Sequence, residues 1–180
     1  MGGVGLRSVL AYHEAGHVVA DLLGGIVVCR VSIVRPVGGK TDVAGYDEAD
    51  LTGLGDEALR ERLEPAVVGL LAGPLAEEHH TGIYPRDRAA ADLNQAAHLG
   101  LACLPDGLDW ATYEGELTRR ARQLVDANWG VIQELAAELA LRGEMTTQDL
   151  DEFLAGKLPA RPAKHPAQGR VCIDELPVES

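Results

Sequence analysis

Aromatic side chains are scarce in this sequence: its 180 residues include one Phe, two Trp and four Tyr. Apolar residues nevertheless make up 46% of the chain and charged residues 24%, the balance of an ordinary globular protein, which excludes a chain disordered throughout. The core must therefore be built from Ala, Leu and Val. That composition favours packed helices, and the length suits one or two domains.

Cysteine is also rare, and its positions exclude two kinds of site. Cys29, Cys103 and Cys172 are odd in number and far apart, and no CxxC pair is present. Neither a disulfide framework nor a thiolate zinc site is therefore indicated. A reducing compartment fits this pattern best, so we expect a cytoplasmic protein.

Positive charge and long apolar runs are lacking as well. The formal net charge is −12, and no basic stripe offsets it, so we expect no nucleic-acid partner. The most hydrophobic stretches, residues 18–29 and 66–76, are shorter than the about 20 residues that a transmembrane helix needs. The amino terminus lacks the layout of a secretion signal. We therefore expect no membrane segment in this chain.

Helical periodicity is what the sequence does contain. We predict helices over residues 6–23, from about 56, over 66–76 with a kink or restart at Pro74, over about 89–103, over 109–142 with a joint at 128–130, and from a capping box at Thr146 and Asp149 to about 155. Residues 26–34 predict a strand, with a short partner over 43–46. The expected fold is mainly α (α+β): one helical domain over residues 1–155 with a small sheet near its amino terminus, then a loosely ordered tail over 156–180.

One motif carries recognisable chemistry. His13-Glu14-Ala15-Gly16-His17 is an HExxH pattern inside the first predicted helix. Residues four apart lie on one helix face, so both imidazoles can reach a single zinc ion. Glu14 points about 100° around the helix from His13, where a carboxylate can take a proton from activated water. Two histidines packed in a core would show the same spacing without a metal.

The spacing leaves the third ligand open. The longer HExxHxxGxxH form is excluded, because Ala20 and Leu23 stand where it needs Gly and His. Residues 26–41 hold no carboxylate, so the third ligand must come from farther along the chain. The candidates are Glu77, Glu78, His79, His80, Asp87, Asp92 and His98.

Four segments, in the same order, resemble one known family. They are AYHEAGH at 11–17, VSIVRP at 31–36 followed by AGY at 44–46, LAGPLAEE at 71–78, and DLxxA at 92–96. Together they look like the peptidase domain of the FtsH family of membrane-anchored, ATP-dependent zinc proteases, and the resemblance covers about residues 8–154. It implies an FtsH-type zinc peptidase fold. It also implies His13, His17 and Asp92 as zinc ligands, Glu14 as general base, and Glu77 as a carboxylate that orients a ligand histidine.

The sequence departs from that family at several positions. Residues 87–91 (DRAAA) replace its Thr-Gly-Ala-x-Asn, and Pro74 replaces an arginine. Residues 34–41 (VRPVGGKT) imitate only the end of a phosphate loop, so we expect no ATPase motor in this chain.

The sequence therefore predicts a zinc-dependent metalloendopeptidase that cleaves unfolded or flexible polypeptides. Val31, Ser32, Ile33 and Val34 are expected to form an edge strand that holds an extended substrate by main-chain pairing. Cleavage would be independent of ATP, or a separate unfoldase partner would supply unfolding, and a homo-oligomer is compatible with the sequence. The alternative is a non-catalytic helical interaction module that retains the peptidase fold.

Overall fold

The structure, a computed structural model, describes residues 5–34, 39–43, 51 and 53–159. This part of the chain is mainly helical with a small antiparallel sheet, as the sequence predicted. Its helices and strands are, in chain order, α1 (Leu6–Leu23), β1 (Val28–Ser32), β2 (Lys40–Val43), α2 (Asp56–Thr81), α3 (Ala90–Ala102), α4 (Trp110–Ala127), α5 (Trp129–Arg142), β3 (Glu144–Thr146) and α6 (Thr147–Leu154).

The first helix ends where the sequence predicted, at a pair of glycines. Gly25 has a φ of +79°, a conformation that glycine adopts without strain. Its N–H donates to the carbonyl of Leu22 at 3.2 Å, and the N–H of Ile26 donates to that of Asp21 at 2.8 Å. This is the hydrogen-bond pattern of a Schellman motif, and it fixes the last turn of α1, which carries Asp21.

Two further predicted boundaries are confirmed near the carboxyl end. α4 and α5 meet at Asn128, and α6 begins with the predicted capping box, in which Thr146 and Asp149 each bond the other's backbone N–H. The tail that we predicted over 156–180 lies largely outside the described residues, of which residue 159 is the last.

The longest helix, α2, runs without interruption through Pro65 and Pro74. A proline inside a helix removes a hydrogen bond and costs about 3 kcal/mol, so the sequence predicted a kink or restart at Pro74. The restart is wrong. Leu71, Ala72 and Leu75 are all buried, and most helical stability comes from packing of this kind rather than from intrinsic propensity.

β1 is the central strand of the sheet, whose order is β2-β1-β3. The expectation of an edge strand over Val31, Ser32, Ile33 and Val34 is therefore wrong. Val31 and Ser32 have backbone partners on both sides, while Ile33 and Val34 lie beyond the end of the strand. Within the described residues the two edge strands are β2 and β3.

The sheet also differs from the prediction in its members. The partner strand expected over 43–46 lies earlier in the chain, because β2 spans Lys40–Val43. Residues 44–46 lie outside the described ranges. The third strand, β3, comes from residues 144–146, so the sheet joins the beginning of the chain to its later part.

The core surrounds α1, which packs against α2 and α5. Gly16 lies in close contact with α2, because an added Cβ there would lie 2.7 Å from the carbonyl oxygen of Ala72 and from the Cβ of Ala76. A glycine inside a helix costs about 1 kcal/mol relative to alanine, and here it permits the two helix backbones to approach. That contact places the HExxH motif directly against α2.

The cysteines and the helix lengths bear on two expectations about the environment of the chain. Cys29 is disulfide-bonded, which the cysteine pattern did not predict, whereas Cys103 is a free and buried thiol. The argument for a reducing compartment therefore does not hold for Cys29. Among the described residues, no helix combines the length and apolar character that crossing a bilayer requires.

Candidate metal centre

Three side chains from two helices converge on one point. His13 and His17 lie one turn apart on α1, and Asp92 lies in the first turn of α3. Asp92 Oδ2 is 3.2 Å from Nε2 of His13 and 3.8 Å from Nε2 of His17, and one potential ligand atom from each residue lies within 4.8 Å of the others. Of the seven candidates for a third ligand, the structure brings Asp92 to this point.

The other ring nitrogen of each histidine is held by the surrounding structure. His17 Nδ1 lies 2.9 Å from the carbonyl oxygen of Gly69, which can only accept, so this nitrogen carries the proton. His13 Nδ1 donates in the same way to Glu77 Oε2 at 3.1 Å. In a neutral imidazole the remaining nitrogen then has a free lone pair. Both Nε2 atoms therefore present lone pairs toward Asp92.

This donor set fits a divalent metal ion. Two imidazole nitrogens and one carboxylate oxygen are ligands that zinc prefers, and a catalytic zinc keeps a fourth position open. His13 Nε2 and Asp92 Oδ2 lie 3.2 Å apart, a distance at which they share a proton when no ion is bound. When both rings are neutral with the proton on Nδ1, the two Nε2 atoms and the carboxylate are three acceptors that face one another, and they favour a cation between them. Hydrogen bonds from the outer ring nitrogens are also typical of metal-binding histidines.

Burial and mutual charge set the protonation of these groups. Burial, followed by the charge of His13, lowers the pKa of His17 to about 4. Burial opposes ionisation of Asp92, but the hydrogen bond from His13 and the charges of His17 and His13 outweigh it and lower the pKa of Asp92. A neutral imidazole beside an ionised carboxylate is the state in which both bind metal.

Glu14 lies beside this point and is almost enclosed. Its side chain is 4% exposed, and Thr41 on β2 donates its hydroxyl hydrogen to Oε2 at 2.7 Å. Gly39 covers the other carboxylate oxygen so closely that any Cβ there would collide with it. Burial is the largest influence on Glu14 and raises its pKa to about 7. The carboxyl can therefore exchange a proton near neutral pH.

Glu77 is held in turn by a residue that the sequence did not single out. The carboxyl of Glu77 is 1% exposed and forms an ion pair with Arg88. Arg88 lies in the segment that departs from the family pattern, so this departure places a cation where Glu77 needs one. As a carboxylate paired with Arg88, Glu77 accepts the hydrogen of His13 Nδ1, which is the contact that the resemblance implied.

Two glycines of α2 make room for side chains of α1. A Cβ at Gly73 would collide with the ring of His17, and a Cβ at Gly69 would collide with the carboxyl of Asp21. Small residues at these two positions therefore let α2 approach the functional face of α1. Sequence reasoning missed both, although Gly69 and Gly73 are spaced one turn apart on a predicted helix.

The centre opens into a cleft with a volume of about 910 Å³. Its walls come from α1, α2, α3 and β2, and of the two edge strands it is β2 that lines the cleft, with Lys40, Thr41 and Val43. Asp21 also faces this cleft, one helical turn beyond His17. Burial, followed by the charge of Glu14, raises the pKa of Asp21 to about 8.

Other predicted residues lie elsewhere. His79 and His80, two of the candidates for the third ligand, instead stack on Trp129 and Tyr12 respectively. Val31 is fully buried in the sheet, so the strand predicted to bind substrate does not offer its backbone to the cleft.

No protein-family model and no curated protein matches this chain.

Proposed function

We propose that this protein is a zinc-dependent metallopeptidase that hydrolyses peptide bonds in unfolded or flexible polypeptides. The observation that carries the proposal is the convergence of His13, His17 and Asp92 beside a buried Glu14 at the base of an open cleft. A pair of core histidines would need neither a carboxylate between their free nitrogens nor a second carboxyl enclosed beside them.

His13 Nε2, His17 Nε2 and an oxygen of Asp92 are the atoms that would hold the ion. A bound zinc ion supplies Lewis acidity, which polarises a carbonyl and makes water easier to deprotonate. The protein's own contribution is to fix these donors. Glu77 and the Gly69 carbonyl hold the two rings by their Nδ1 atoms, so both Nε2 atoms remain directed at one position.

Glu14 is the residue suited to moving the proton. Its carboxylate can accept a proton from the attacking water and return it to the leaving amine, as a general base and then a general acid. The Thr41 hydroxyl orients one of its oxygens. Enclosure by Gly39 and Thr41 keeps bulk water from solvating the carboxylate, which raises its proton affinity toward neutral pH.

The edge strand that lines the cleft favours an extended polypeptide as substrate. β2 has a free edge among the described residues and lines the cleft beside Glu14. An extended chain can add to such an edge through main-chain hydrogen bonds, which are tolerant of sequence. β2 would then bind substrate in place of Val31, Ser32, Ile33 and Val34, for which that role was expected from the sequence.

The test compares the full chain with its Glu14→Gln variant, after both are loaded with zinc. Casein and a quenched fluorescent peptide serve as substrates, and the Glu116→Gln variant is the control, because Glu116 is exposed on α4 and outside the cleft. We expect Glu14→Gln to lower the hydrolysis rate by at least about 100-fold, and Glu116→Gln to leave it unchanged. Zinc content, measured on the same samples, should be equal in all three.

Each result has a definite meaning. Equal hydrolysis rates for the wild type and Glu14→Gln would refute the role of Glu14. Zinc binding without hydrolysis in the wild type would favour the non-catalytic interaction module. Failure to bind zinc would contradict the proposed peptidase, and it would also contradict an interaction module that keeps the metal.

A further inference from the structure

One carboxyl in the cleft has no role in the centre described above. Asp21 is 7% exposed and lines the cleft. Among the described residues no side chain donates a hydrogen bond to its carboxyl or forms an ion pair with it, and the charge that acts on it is the like charge of Glu14. A buried polar group without a partner is destabilising and uncommon. Its retention inside a cleft therefore points to a partner that arrives with a ligand.

The position of this carboxyl is fixed by the surrounding backbone. The Schellman motif holds the last turn of α1, with the Ile26 N–H on the carbonyl of Asp21 at 2.8 Å. On the other side, the missing side chain of Gly69 leaves the space that the carboxyl occupies. Ile26, Leu63 and Leu70, which also line the cleft, are apolar, so the carboxyl shares the cleft wall with apolar side chains.

The charges along the cleft indicate which kind of ligand could pair with Asp21. Among the described residues, the positively charged side chains that line the cleft are Arg88 and Lys40, and they are already paired with Glu77 and Asp42 respectively. Asp92 and Glu14 would balance a divalent ion. Asp21 is then the acidic group of the lining for which the described residues provide no cation.

The distance from the metal centre suits a substrate side chain. Asp21 follows His17 by one helical turn, which corresponds to about 6 Å along the helix axis. A Lys or Arg side chain has a flexible apolar stem and a charged end. The stem matches the apolar wall, and the charged end can reach the carboxyl from a residue next to the bond being cleaved.

We propose that Asp21 selects substrates with a basic side chain, Lys or Arg, beside the scissile bond. This inference rests on the proposed function of the cleft and adds the class of sequence that it accepts. A charge-assisted hydrogen bond formed in a buried site is stronger than one at the surface. The discrimination should therefore be easy to measure.

The first experiment measures binding without cleavage. Fluorescently labelled peptides of neutral sequence carry either one Lys or one norleucine, which has a similar stem without the charge, and their affinity for the zinc-loaded Glu14→Gln full chain is measured by anisotropy. We expect the lysine peptide to bind at least about tenfold more tightly. Adding Asp21→Asn should reduce the ratio of the two affinities to about one, whereas adding Glu116→Gln should leave the ratio unchanged.

The second experiment does not depend on a substitution at position 21. Fragments of denatured casein produced by the wild type are sequenced, and we expect the cuts to cluster beside Lys and Arg. Cuts placed without regard to basic residues would overturn the inference, as would a lysine preference that persists in Asp21→Asn. Lysine-selective binding that depends on Asp21, in a protein that hydrolyses nothing, would uphold this inference while refuting the proposed peptidase activity.

Discussion

The Nδ1 atom of His17 donates a hydrogen bond to the carbonyl oxygen of Gly69 at 2.9 Å. Because this carbonyl belongs to α2, the rotation of a side chain on α1 is set by the neighbouring helix. Gly73, one turn farther along α2, leaves the space in which the other edge of the ring lies. The geometry of the metal centre therefore depends on how closely α1 and α2 pack.

Replacing Gly73 by alanine tests this dependence. The new Cβ would collide with the ring of His17 at Nε2, so the ring must leave the position in which Nε2 faces Asp92. We expect the affinity for zinc to fall by at least about tenfold, as it does when groups that orient a ligand are lost. Competition with a chelating dye measures the change.

Gly115→Ala is the matched control, because Gly115 lies inside α4 and a Cβ there meets no other atom within 4 Å. It should raise the free energy of unfolding by about 0.5–1 kcal/mol and leave zinc affinity unaltered. If both variants bind zinc equally well, His17 is not held as described.

A second prediction concerns Glu77. Its carboxylate accepts from His13 Nδ1 at 3.1 Å, so Glu77→Gln should weaken zinc binding by about 10- to 100-fold. Glu78→Gln is the control, since Glu78 pairs with Arg122 instead, and its effect should be within about twofold. A loss of equal size in both variants would mean that the helix as a whole, rather than the contact with His13, was disturbed.

A third prediction concerns the hydroxyl that reaches Glu14. Thr41→Val keeps the shape of the side chain but removes the hydrogen bond to Glu14 Oε2. We expect kcat for peptide hydrolysis to fall by about tenfold, since one hydrogen bond to a charged group contributes about 1.5–3 kcal/mol, while zinc affinity is retained. Thr41→Ser should restore most of the rate. A serine variant as slow as the valine variant would show that the methyl group, not the hydroxyl, matters.

A fourth prediction uses the raised pKa of Asp21. The folded protein retains the proton up to a pKa of about 8, whereas the unfolded chain releases it near 3.8. The stability associated with the protonated form is therefore fully present below pH 3.8 and is lost as the pH rises toward 8. Relative to the wild type, Asp21→Asn should become more stable with rising pH, by at most about 1.4 kcal/mol per pH unit.

Urea unfolding of the zinc-free proteins at pH 5, 6.5 and 8 measures that difference. Zinc-free protein is used so that loss of metal at low pH does not contribute. The difference between Glu116→Gln and the wild type should stay flat over the same range. A flat difference for Asp21→Asn as well would mean that Asp21 is ionised in the folded protein at every pH tested.

Local signals in the sequence were sufficient for the helix that carries the motif. The periodicity of residues 6–23 and the glycine pair after them predict α1 to the residue, and the spacing of His13 and His17 follows from the helix itself. The capping box at Thr146 likewise predicts the start of α6. The glycine pair and the capping box each lie within a few residues of the helix end that they specify.

The contacts that complete the centre are formed between distant segments, and spacing could not choose among the candidates. Asp92 was singled out by resemblance to a family, and the pairing of Arg88 with Glu77 was not predicted. The central position of β1 was missed because β3 has only three residues and follows β1 by more than one hundred positions. Three residues are too few to show the alternating pattern of a strand, and β3 pairs with β1 only because α5 places it beside the sheet.

The central claim is that His13, His17 and Asp92 bind one divalent ion with Glu14 beside it. Anomalous scattering at the zinc edge, from crystals of the full chain prepared without chelator and soaked in zinc, tests this most directly. The account predicts one strong peak about 2.0–2.2 Å from Nε2 of both histidines and from a carboxylate oxygen of Asp92. Absence of a peak between the two imidazoles, with zinc in excess, would contradict it.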